Sequence, residues 1–85
     1  MLLEIYVAPN CPPCLEARAI ASDMRSLFPW LRVELVELDG KRWAPPGVVA
    51  TPTYLLDGKV VSLGNPHRER LARLIANKPE KGGAA

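Results

Sequence analysis

Leu2-Leu3-Glu4-Ile5-Tyr6-Val7-Ala8-Pro9-Asn10-Cys11-Pro12-Pro13-Cys14 contains the only two cysteines of an 85-residue chain. The pair stands between an apolar run, Leu2 to Ala8, and an amphipathic run, Leu15 to Phe28. The order reads as strand, then Cys-x-x-Cys, then helix. Residues three apart on a first helical turn lie about 5 Å apart at Cα, a separation that a disulfide spans. One sulfur can then stand at the surface while the other tucks behind it, and the pair opens and closes with little backbone movement. Cys11, at the helix N-terminus, is expected to be the nucleophile, because the positive end of the helix dipole favours its thiolate. Pro12 and Pro13 have no N–H. The helical donors left near the sulfur are the backbone N–H and the thiol of Cys14. This predicts a milder activation of Cys11, and a more reducing couple, than a Cys-Pro-His-Cys loop would give.

Outward from the motif, Leu3, Ile5 and Val7 share one face of the first strand, and Leu2, Tyr6 and Ala8 the other. Only Glu4 is charged, so this is an inner strand covered on both sides. On the C-terminal side, Ala17, Ile20, Ala21, Met24, Leu27 and Phe28 form one helical stripe, which Pro29 ends. Leu31 to Leu38 alternates apolar residues with Arg32 and Glu34, as suits a strand at a sheet edge. Two strands joined by a helix of this length should run parallel. Asp39 to Gly47, with two glycines and two prolines, reads as a loop, and Trp43 is expected to lie over the sheet face that the helices leave open. Thr53–Leu56 and Lys59–Leu63 flank Asp57-Gly58, a strong hairpin signal. Asn65 is read as the cap of a last helix, with Pro66 at its first position and Leu71, Leu74 and Ile75 as its buried stripe. The fold class is therefore α/β, β-α-β followed by β-β-α: a four-stranded mixed sheet with two helices on one face. Residues 1–78 make one domain, and 79–85 are expected to be a flexible C-terminal tail.

Composition narrows the function classes. Eleven basic against nine acidic residues give a formal charge of +2, too mild to argue for nucleic acid or a membrane surface as partner. No apolar run is long enough to span a bilayer. Met1-Leu2-Leu3 meets Glu4 at once, with no basic n-region, so a cytoplasmic location is expected. In that reducing compartment a cysteine pair is catalytic or metal-binding more often than structural.

The constellation resembles the thioredoxin/glutaredoxin superfamily in its shortest form. Cys11-Pro12-Pro13-Cys14 follows the first strand. Gly47-Val48-Val49-Ala50-Thr51-Pro52-Thr53 is similar to the family segment that carries a cis-proline ahead of the third strand, and Leu63-Gly64-Asn65 sits where members place a third substrate-facing loop. The resemblance implies that Cys11 attacks and Cys14 resolves. It also implies that Pro12, Pro13, Thr51, Pro52 and Gly64 face the substrate, with a cis bond at Pro52 turning the Thr51 backbone toward the thiols. An extended substrate could then pair with that backbone as an added strand. The implied activity is thiol–disulfide exchange, reducing disulfide-containing proteins, with electrons from an upstream dithiol or flavin reductase. The redox-active disulfide would stand in place of any metal or organic cofactor, and the protein would be a monomer.

The chain departs from the pattern of the family it resembles at several points. Ile5 stands near the thioredoxin position of a buried Asp, so no carboxylate proton relay carries over. Leu63-Gly64-Asn65-Pro66-His67-Arg68 lacks the second Gly and the acid with which glutaredoxins grip glutathione. A protein disulfide is thus the better substrate class. Other readings remain open on the residues alone. The cysteines could be a structural pair, half of a zinc site shared between chains, or a redox switch in a binding module without turnover. Arg68, Arg70 and Arg73 read as a solvated helix face, and His67 as a surface residue at a helix start.

Overall fold

The computed structural model describes residues 1–38 and 44–77. The Trp43 and tail expectations lie outside them. The elements are β1 (Leu2–Val7), α1 (Pro12–Leu27), β2 (Arg32–Glu37), β3 (Thr53–Leu56), β4 (Lys59–Leu63) and α2 (Arg68–Asn77). They build one four-stranded sheet in the order β2-β1-β3-β4. β1 pairs in parallel with β2, and antiparallel with β3. Its run of apolar residues on both faces fits this inner place.

Register decides which side chains meet. Leu3 faces Val33 and Leu56, and Ile5 faces Leu35 and Tyr54. These residues point to the same sheet face. There they join Ala17, Ile20, Ala21 and Met24 of α1 and Leu71 and Ile75 of α2 in a single core cluster. Both helices thus cover one face, as the residue pattern requires.

The opposite face carries Tyr6 beside Thr53 and Leu55 beside Val60. Tyr6, Thr53 and Leu55 are buried although among the described residues no helix lies there. The chain segment before β3 passes over this side: a Cβ on Gly47 would stand 3.0 Å from Val60 Cγ2. Gly47 also has a φ of +93°, a second reason for glycine.

Three details differ from the sequence reading. Leu27 and Leu74, assigned to buried stripes, are largely exposed, at 59% and 42%. In α2 only Leu71 and Ile75 reach the core. Finally, α2 begins at Arg68 rather than at Pro66, and the His67 carbonyl accepts its first helical bond, from Leu71 N–H at 3.0 Å. Asn65 does not cap the helix; its side chain is committed elsewhere.

Candidate active site

The first turn of α1 carries the cysteine pair. Cys11 occupies the N-cap position with extended backbone, and Pro12 and Pro13 follow as the first helical residues. Their fixed φ suits a helix start, and the N–H groups they lack would have had no helical partner. Cys14 N–H is the first that α1 presents, and it donates to Cys11 O at 3.0 Å. Cα atoms of the two cysteines stand 5.3 Å apart, and the sulfurs form a disulfide. Cys14 is 2% exposed and packs in the core, whereas Cys11 is half-buried at its edge. An incoming nucleophile or disulfide can therefore reach Cys11 and not Cys14.

A second loop approaches the same sulfur. The Thr51–Pro52 peptide bond is cis. Thr51 O lies 3.9 Å from Cys11 Sγ, and the Thr51 hydroxyl lies 3.6 Å from it, placed to donate to the sulfur. Pro52 is fully buried. The third loop is joined to the second by backbone: Gly64 N–H donates to Pro52 O at 2.7 Å, with Gly64 at a φ of +87°. Only glycine holds that conformation without cost. All the residues singled out in the sequence thus stand on the first turn of α1 (Cys11, Pro12, Pro13, Cys14) and on two loops (Thr51, Pro52 and Gly64) that converge with it at one end of the sheet.

The contacts of two residues near the site, Asn65 and Arg68, are not legible in the sequence. Asn65 bridges the loops, its Nδ2 donating to Pro13 O at 2.8 Å while its Oδ1 accepts from the Tyr54 hydroxyl at 2.8 Å. Burial of Tyr54 pushes its hydroxyl well above the ordinary tyrosine range; the Arg68 charge opposes this shift and the Glu16 charge adds to it. Arg68, read as solvated, reaches across to α1, donating to Glu16 at 2.7 Å and to Asp23 at 2.5 Å. Glu16 and Asp23 lie seven residues apart, two turns along one helix face, and that spacing was the only available signal. His67 is exposed at the start of α2.

Beside the disulfide an open groove of about 550 Å³ runs along α1 past Cys11, Pro12, Leu15 and Arg18. Leu15 is 73% exposed there, and Arg18 is paired with Glu37 at 3.3 Å. The groove beside the reachable sulfur is thus mostly apolar, with Asn10 and one paired cation, Arg18, in its lining. Among the described residues no helix is long and apolar enough to cross a membrane.

No family model matches the chain. It is similar to a thioredoxin of Methanocaldococcus jannaschii, 25% identical over 79 residues that cover 89% of this chain and 93% of the relative. It is also similar to probable thioredoxins of Methanothermobacter marburgensis and Methanothermobacter thermautotrophicus, each 27% identical over 81 residues covering 92% of this chain and 95% of the relative.

Proposed function

We propose that this chain, a thioredoxin-fold protein with a Cys-x-x-Cys motif, is a thiol–disulfide oxidoreductase that works as a cytoplasmic reductant of protein disulfides. The observation that carries the reading is the asymmetry of the pair: a reachable Cys11 sulfur with Thr51 O and hydroxyl beside it, and a buried Cys14 behind it. A structural disulfide needs no such asymmetry.

In the reduced protein the Cys11 thiolate attacks a substrate disulfide. A Cys11–substrate disulfide forms, the substrate S–S bond breaks, and one substrate sulfur leaves as thiolate and takes up a proton. Cys14 then loses its proton and attacks Cys11 Sγ, forming the internal disulfide and releasing the second substrate sulfur. Two electrons pass to the substrate, which ends as a dithiol. The Thr51 backbone holds the substrate chain in line while the exchange occurs. The apolar surroundings of Cys11 and the altered glutathione stretch favour a protein over glutathione as substrate. An upstream dithiol or flavin reductase returns the electrons to a monomeric protein that needs no metal or organic cofactor.

The test is turnover. Fed with dithiothreitol, a catalyst reduces many equivalents of a protein disulfide such as insulin's. Cys11→Ser should abolish that activity, and Cys14→Ser should accumulate mixed disulfides. Conversion of a single equivalent, with no further turnover, would establish a redox switch in place of a catalyst. Full activity in Cys11→Ser would overturn the assignment of the attacking sulfur.

A further inference from the structure

Every polar handle offered by Pro12 and Pro13 is an acceptor, because neither residue has an N–H. One of these acceptors, Pro13 O, receives a donor from outside the α1 backbone, Asn65 Nδ2 at 2.8 Å. The orientation of this amide is forced. A carbonyl only accepts, so the NH₂ group must face Pro13, leaving Oδ1 for the Tyr54 hydroxyl, 2.8 Å away. Tyr54 is fully buried, and that burial keeps its hydroxyl protonated far beyond the usual range. It therefore remains a donor. Asn65 itself is exposed, yet its amide is anchored from the buried end and cannot turn freely in water.

Pro13 C=O and Cys14 N–H are the two ends of one peptide unit. A hydrogen bond accepted at the oxygen draws electron density toward it and makes the N–H a stronger donor; chains of such bonds polarise one another. This N–H is the first of α1, and it points into the turn that carries Cys11, 3.0 Å from Cys11 O. The chain of dipoles runs from the Tyr54 hydroxyl through the Asn65 amide and the Pro13–Cys14 peptide, with its positive end toward the turn that bears the attacking sulfur.

We propose that Tyr54 and Asn65 are positioning residues that polarise the Pro13–Cys14 peptide and so stabilise the Cys11 thiolate. From β3 and from the loop ahead of α2, they supply part of the activation that a motif with two prolines cannot draw from its own backbone. This deepens the proposed function, resting on Cys11 as the attacking thiolate, but it is measurable without turnover.

The experiment is alkylation of Cys11 by iodoacetamide as a function of pH, in the Cys14→Ser background, with each rate divided by its own high-pH plateau. At pH 6 this ratio reports the thiolate fraction. Asn65→Ala should lower it about threefold or more, the scale of one neutral hydrogen bond. Asn65→Asp, which keeps the shape and the acceptor for Tyr54 but replaces the donor by a negative charge, should lower it further. Tyr54→Phe, which removes only the outer link, should lower it less. A purely structural role would lower the melting temperature and leave the ratio unchanged. An Asn65→Ala ratio within twofold of the parent, or above it, overturns the proposal, and if Asn65→Ala fails to fold the same criterion applies to Asn65→Asp. Failure of insulin turnover with the pH profile intact would overturn the proposed activity and leave this inference standing.

Discussion

Thr51→Val isolates one atom beside the Cys11 sulfur. Valine keeps the shape of threonine and loses its hydroxyl, which lies 3.6 Å from Cys11 Sγ. Toward the sulfur of a disulfide or a neutral thiol that contact is weak. Toward a thiolate it becomes a hydrogen bond to a charge, a class worth about 1.5–3 kcal/mol. Thr51 is half-exposed and the contact is long, so the low end applies, about 1.5 kcal/mol, or roughly tenfold in the thiol–thiolate equilibrium. The Thr51 carbonyl, 3.9 Å from the same sulfur, is unchanged by the substitution and repels a thiolate in both proteins, so it cancels from the comparison. The assay is plateau-normalised alkylation of Cys11 below its titration range, or thiolate absorbance near 240 nm across a pH series. Thr51→Val should show a thiolate fraction lower by about tenfold, with a melting temperature close to the parent's. A fraction within twofold of the parent would refute the reasoning, since the hydroxyl would then serve the loop and not the sulfur.

Two further outcomes test the frame that holds the site. Ile75→Ala should cost about 2–5 kcal/mol, the range for emptying a fully buried aliphatic site, because Ile75 and Leu71 are the two residues by which α2 enters the core; urea unfolding with a loss below about 1 kcal/mol would show that α2 is not docked as described. Stability should also fall in alkali. Burial raises Tyr54, so above about pH 10 the unfolded chain gives up a proton that the folded state keeps. This contribution is fully present below pH 10 and is lost, by up to about 1.4 kcal/mol per pH unit, as the pH rises toward the folded-state value. Tyr54→Phe should flatten that slope, and identical slopes in the two proteins would contradict the assignment.

The parts of the structure that the sequence discloses are those fixed by neighbours in the chain. The hairpin Thr53–Leu56 and Lys59–Leu63 falls at the expected residues, because Asp57, at a φ of +50°, and Gly58, at +86°, supply the left-handed turn that such a link requires. The start of α1 is likewise local, two prolines behind a cysteine N-cap. The start of α2 is not. Asn65-Pro66 has the composition of a cap and a first turn, but Asn65 is claimed by a tyrosine 11 residues earlier and a carbonyl 52 residues earlier. A side chain with two distant partners cannot be read from local preference. Leu74 misled for a related reason: a helix ten residues long resting on a small sheet buries a narrow stripe, and its third apolar residue stays at the margin.

The same geometry explains why α2 matters to a site it does not enter. The helix is held to the core by Leu71 and Ile75, with Ala72 packed at the margin. Polar ties lie at its N-terminal end: Arg68 on Glu16 and Asp23 and, just ahead of the helix, Asn65 on Pro13 and Tyr54. Exposed ion pairs contribute little stability, so the Arg68 pairs are better understood as setting position than as holding the fold. They join the beginning of α2 to the helix whose first turn is the Cys-x-x-Cys motif. The loop that carries Gly64 is thereby held against Pro52 on one side and Pro13 on the other. Three segments that are distant in sequence then share one reference point, the N-terminal end of α1.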